Sequence, residues 1–172
     1  MEKVDVLDAN YKKTGKVINR NEKLQKGEFC QVVHLCIFDN EDNLLIQKRS
    51  DTKKTYPGLW DITCGGAVRA GESKEEAMQR ELFEELGLEI DFKNMRPAIS
   101  FHYFEGLDTI YFLTLKIDLK QIKFMDNEVS MVKYASEEEV INLCKKKEFV
   151  SYYESIIHMF FDFNKRKDPY IE

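Results

Sequence analysis

Between Gly66 and Leu88 the chain commits itself to one local geometry: a glycine-rich turn leads into a short amphipathic helix that carries three carboxylates on one side. Within residues 73–86, Glu81, Glu84 and Glu85 are spaced i, i+3 and i+4, so at about 100° per residue all three project from one face. Met78, Leu82 and Leu86 recur at i, i+4 and i+8 on the adjacent face. That stripe predicts a helix anchored to a sheet with its glutamates left at the margin. Ser73 and Glu76 have the S-x-x-E spacing that satisfies free N–H groups at a helix start, and Gly87 stands where helices commonly end. Three like charges admit two readings. They form a solvated face screened by water, or they hold a divalent cation, because clustered carboxylates are hard oxygen ligands of the kind Mg²⁺ accepts beside substrate phosphates. Spacing alone leaves both open.

The rest of the chain predicts a sheet with flanking helices. At 172 residues, 43% hydrophobic and 33% charged, it reads as a single domain, 1–172, able to bury a core. A short hairpin is expected over residues 1–20, then strands over 29–39 and 44–48 and a short strand toward Gly65-Gly66. Further strands are expected over 98–104 and 109–117, joined by a turn at 105–108, and helices over 136–146 and 151–165. The last helix carries Tyr153, Ile156, Ile157, Phe160 and Phe161 at helical spacing, read as core or as part of a homodimer contact. A net charge of -5 gives no global positive field for nucleic acid or for an anionic membrane surface. No apolar run suits a signal peptide or the roughly 20 residues of a membrane span, so the expected compartment is the cytoplasm. Cys30, Cys36, Cys64 and Cys144 are too scattered for a zinc site or a disulfide framework and are read as reduced thiols.

The flank of the acidic helix decides between the two readings of its glutamates. Gly66-Ala67-Val68-Arg69-Ala70-Gly71-Glu72, seven residues, then Arg80-Glu81-Leu82-Phe83-Glu84-Glu85-Leu86-Gly87-Leu88 resembles the complete Nudix box, G-x5-E-x7-R-E-U-x-E-E-x-G-U with U aliphatic. The resemblance implies an α+β fold, a Nudix-like α/β/α sandwich with a mixed central sheet and a loop-helix-loop. It also implies hydrolysis of a diphosphate linkage in a small molecule with Mg²⁺, for which Mn²⁺ can substitute. Glu84 and Glu85 would be metal ligands, and Glu81 a ligand or the general base. A backbone carbonyl of Gly65 or Gly66 would complete the shell, Arg80 would orient Glu81, and Glu72 would buttress the loop. Glu128, in Asp126-Asn127-Glu128-Val129, is the candidate for one further acidic ligand. Lys48 and Arg49 read as surface charges or phosphate contacts. His34, His102 and His158 read as packed or surface histidines, and Phe101, Tyr103 and Tyr111 as core or as rings that stack on a base.

The segments before the box, including LLIQKRS and KKTYPGLWD, resemble the Nudix subgroup related to isopentenyl-diphosphate isomerase. Isomerases of this kind place a catalytic cysteine one residue before the first box glycine and a metal-binding histidine one residue after it. Here those places hold Gly65 and Ala67, and Lys23 and Cys30 stand about where further histidines would be expected. Cys64 is one residue away, which in a strand points it to the opposite face. The expectation is a hydrolase of a nucleoside diphosphate derivative. An isomerase and a non-catalytic ligand-binding domain are the alternatives.

Overall fold

The computed structural model describes residues 2–166. Two strands, β1 (Lys3–Leu7) and β2 (Lys13–Asn19), pair antiparallel as a separate hairpin. The main sheet has seven strands. At its centre lies β3 (Cys30–Phe38), and β4 (Leu44–Arg49) follows it. The short β5 (Trp60–Asp61) and β6 (Cys64–Ala67) come next, then α1 (Lys74–Leu86). After the helix the chain returns through β7 (Ile99–Tyr103), β8 (Gly106–Thr114) and β9 (Val129–Ala135) and ends in α2 (Glu137–Lys145) and α3 (Glu154–Arg166).

β8 runs parallel to β3 from Cys30↔Gly106 to Phe38↔Thr114 while the other pairings are antiparallel, so the sheet is mixed as expected. Strand alternation then sorts the core into two layers. Val33, Leu35 and Ile37 face α1, where Met78, Leu82 and Leu86 cover them. Cys36 and Phe38 face the other way, against Val140 and Ile141 of α2 and Ile157, Phe160 and Phe161 of α3. Of the apolar stripe expected of the last helix, Ile157, Phe160 and Phe161 are taken up by the sheet, at about 1.5–3 kcal/mol for each large side chain buried, while Tyr153 lies just before α3 and is exposed. The result is helix, sheet, helix.

Two local readings need correction. β8 begins at Gly106 and ends at Thr114, rather than spanning 109–117. A Cβ at Gly106 would lie 2.1 Å from the Cys30 carbonyl oxygen, so this glycine belongs to the strand edge, where it lets β8 close on β3. β9 was not anticipated as a strand; it pairs with β4 from Leu44↔Ala135 onward. Among the described residues no helix is long and apolar enough to cross a membrane, and the four cysteines are free.

Candidate active site

The site originates in a parting of two strands. β3 and β4 share one pair, Phe38↔Leu44, and then diverge. The segment 60–67 fills the opening, pairing first with β4 through Gln47↔Asp61 and then with β3 from Val32↔Ala67 to Leu35↔Cys64. The two glycines at the middle of β6 leave its faces bare, and different groups press on each. A Cβ on Gly66 would fall 2.2 Å from Glu81 Oε1. One on Gly65 would fall 2.1 Å from the His34 ring and 2.6 Å from the Val33 carbonyl oxygen.

α1 is set against this opening by its ends as well as its stripe. Ser73 caps the N-terminus in a capping box with Glu76, and Gly87 at φ 67° closes the other end. Glu85 reaches inward, its Oε2 accepting from Gln47 Nε2 at 2.9 Å and from the Gly65 N–H at 3.3 Å. Burial, with Glu81 beside it, pushes the Glu85 carboxyl up to about 8. Burial also raises Glu81, against the opposing pull of Arg80. Arg80 joins the loop to the helix: it donates to Glu72 at 2.7 and 2.9 Å, to Glu81 at 2.7 Å, to Glu84 at 3.2 Å and to the Ala67 carbonyl at 3.0 Å. Burial works against the guanidinium charge, but Glu72 and Glu81 outweigh it and raise its pKa. Glu84 sits at the mouth, 36% exposed, and accepts from Arg69 at 3.2 and 3.3 Å.

Among the described residues no three acidic, histidine or cysteine side chains are gathered closely enough to hold an ion. The three glutamates instead divide their oxygens among arginine, amide and backbone partners. Their chemistry nevertheless suits a hard cation. Glu81 and Glu85 are close enough for one charge to raise the other's pKa, and beside Glu85 the oxygen Gln47 Oε1 is buried with no hydrogen-bond partner.

Glu128 stands in the loop before β9, paired with Lys53. Burial raises the pKa of its neighbour Asp126, to which the charges of Glu128 and, less strongly, Glu84 add. A cleft of about 550 Å³ lies here, lined by Glu2, Arg20, Lys53, Lys54, Asp126 and Glu128 among others. Arg49 donates to Asp61 at 3.2 Å and to the Thr55 carbonyl, holding the loop 50–55. Behind Gly65, His34 Nδ1 meets Asp108 Oδ1 at 2.8 Å. Burial alone would lower this imidazole, but Asp108, Asp61 and Glu85 hold it up at about 9. The Cys64 side chain packs under α1, and burial followed by the charges of Glu85 and Glu81 pushes its thiol well above the ordinary range. Gln47 and Arg69 escaped the sequence reading. Gln47 is an ordinary strand residue in sequence, and Arg69 occupies an unrestricted place in the box.

A helix of glutamates laid against a glycine pair in a splayed mixed sheet defines a Nudix fold. The NUDIX domain matches residues 29–160, and the chain belongs to this family. It is 38% identical over 153 residues to an uncharacterized Nudix hydrolase of Listeria monocytogenes, covering 89% of this chain and 90% of the relative. It is 32% identical over 146 residues to an isopentenyl-diphosphate Delta-isomerase of Pectobacterium atrosepticum, covering 80% and 78%. The crystal structure of a Deinococcus radiodurans protein matches with a TM-score of 0.76 at 25% identity, covering 92% of this chain and 98% of that one. The chain is a hydrolase of the Nudix family.

Proposed function

We propose that this hydrolase is Mg²⁺-dependent and cleaves the diphosphate linkage of a nucleoside diphosphate derivative. The observation that carries the reading is the convergence of Glu81 and Glu85 on the bare backbone of Gly65 and Gly66, with Glu84 at the mouth of the same opening. Glu84, Glu85 and the Gly66 carbonyl would hold Mg²⁺, or Mn²⁺ in its place, and Glu128 would add an acidic ligand from the cleft. The ion, when bound, neutralises phosphate charge and lowers the pKa of water. Glu81 acts as general base or as a further ligand. Burial raises its pKa, which makes it a stronger base than a free carboxylate, and its short bond to Arg80 holds it in one orientation. Glu72 supports that arginine and also accepts from the Arg69 N–H at 2.9 Å, which ties the loop to the helix.

Isomerase chemistry would need a proton-transferring side chain at position 65, where the space of a Cβ is already filled by the His34 ring. The neighbouring Cys64 faces the core with its thiol held protonated. The small-molecule substrate is met locally, inside a protein of net charge -5, and the cytoplasm is the proposed compartment.

Phosphate and pyrophosphate release from a panel of nucleoside diphosphate derivatives with Mg²⁺, run beside Glu85→Gln and an isopentenyl-diphosphate isomerisation assay, tests this. Metal-dependent release that disappears in Glu85→Gln is expected. Isomerisation without release would overturn it.

A further inference from the structure

β1 and β2 precede residues 29–160, the span that matches the family. The hairpin is nevertheless fastened to the box loop. Val4 bridges to Arg69, the Ala70 N–H donates to the Lys3 carbonyl at 2.8 Å, and the Gly71 N–H donates to Asp5 Oδ2 at 2.9 Å. Val4, Val6 and Ile18 pack against Ala67.

Two charged groups extend this contact into the cleft. Glu2 Oε1 accepts from Arg69 Nε at 2.9 Å, and Glu2 Oε2 accepts from Arg20 Nη1 at 2.7 Å. Arg69 in turn donates through Nη1 and Nη2 to the two oxygens of Glu84. Charges of alternating sign thus run Arg20, Glu2, Arg69, Glu84 from the hairpin to the acidic helix, and Glu2 and Arg20 line the cleft of about 550 Å³. A guanidinium has five N–H donors, of which this geometry uses three. Each terminal nitrogen of Arg69 keeps one N–H with no partner among the described residues, and the side chain is 41% exposed. Its bonds to Glu84, at 3.2 and 3.3 Å, exceed the roughly 2.7–2.9 Å of strong charge-assisted contacts. An incoming anion could therefore claim those donors without displacing a tight bond.

We propose that Arg69, held by Glu2 of the N-terminal hairpin, binds a non-bridging phosphate oxygen of the substrate, so that the hairpin is part of the active site. The inference rests on the reading of the box helix as the diphosphate-cleaving centre. Glu2 fixes Nε and so limits the guanidinium to positions beside Glu84. Without that anchor a long, exposed side chain is free to swing away from Glu84.

Titration calorimetry with inorganic pyrophosphate in the presence of Mg²⁺, on the full chain, tests the inference. Mn²⁺ binding, followed by electron paramagnetic resonance, is measured in the same proteins. Arg69→Ala is expected to weaken pyrophosphate about tenfold to a hundredfold, the worth of one or two charge-assisted bonds, with Mn²⁺ affinity unchanged or tighter. Glu2→Ala, which removes both oxygens that hold Arg69 and Arg20, is expected to weaken pyrophosphate several-fold in the same direction, and it keeps the test decisive should Arg69→Ala fold poorly. Pyrophosphate affinity unchanged in Arg69→Ala, or its loss together with Mn²⁺ binding, would overturn the binding role. A normal Glu2→Ala beside a weakened Arg69→Ala would overturn the part given to the hairpin. Failure of the underlying reading looks different: wild-type protein that binds no Mn²⁺, or Glu85→Gln that binds it as well as wild type.

Discussion

Adding one methyl group at Gly65 and at Gly66 in turn separates the two roles of the glycine pair. At Gly65 the new Cβ would stand 2.1 Å from the His34 ring and 2.6 Å from the Val33 carbonyl oxygen. The second obstacle is backbone of a paired strand, so Gly65→Ala must displace β6 from β3 or expel His34 from its bond to Asp108. Overpacking of this kind costs about 1–3 kcal/mol, and disturbing the partly buried His34–Asp108 pair adds to it, so a loss of about 2–4 kcal/mol is expected. At Gly66 the obstacles are the carboxylate atoms of Glu81, 2.2 to 2.6 Å away. That carboxylate is the far end of a flexible side chain and can swing aside. The gain of about 0.4–1 kcal/mol from a stiffer unfolded chain offsets part of the loss, and Gly66→Ala should fall within about 1 kcal/mol of wild type in stability. Its activity should drop on the order of a hundredfold, because the Glu81 orientation set by Arg80 is lost. Urea unfolding gives the first quantity and Mg²⁺-dependent phosphate release the second. A Gly66→Ala protein with wild-type turnover, or a Gly65→Ala protein as stable as wild type, would refute the reasoning.

The remaining expectations concern the carboxylates and the thiol. Glu84→Gln and Glu85→Gln should each cut turnover by about a hundredfold or more with circular dichroism unchanged, since each removes a ligand charge while keeping its shape; a variant within threefold of wild type would remove that residue from the metal site. The Glu85 carboxyl titrates near 8 in the folded chain against 4.5 as a free group, so the folded state holds its proton more tightly than the unfolded one. In chelator, stability should be full below about pH 4.5 and fall by up to a few kcal/mol as pH rises toward 8, and Glu85→Gln should flatten that fall. Urea midpoints across the range measure it, and a flat wild-type profile would contradict it. Cys64→Ser should leave hydrolysis within about twofold, because the thiol is buried and held protonated; abolished turnover with an intact fold would reopen thiol chemistry.

Much of the site is local in sequence and was legible there. The helix over residues 74–86 follows from its apolar stripe, its capping box and Gly87, all interactions within a few residues of one another. The spacing of the acids along one helix fixes which face they share, and the resemblance to the box made them the candidates. Other features depend on residues far apart in the chain. The parting of β3 and β4 places Gln47 of one strand and Gly65 of another on the same Glu85 oxygen, a contact across 38 and 20 residues that no periodicity announces. The placement of Arg69 between Glu2 and Glu84 likewise spans 67 and 15 residues. The sequence by itself determined the helix, its cap and the three glutamates that share one side of it, because short-range geometry determines those. Which carboxylate is buried with a raised pKa, which sits at the mouth, and which cations stand beside them were decided by tertiary structure, because burial and charge pairing depend on what the fold packs around each group.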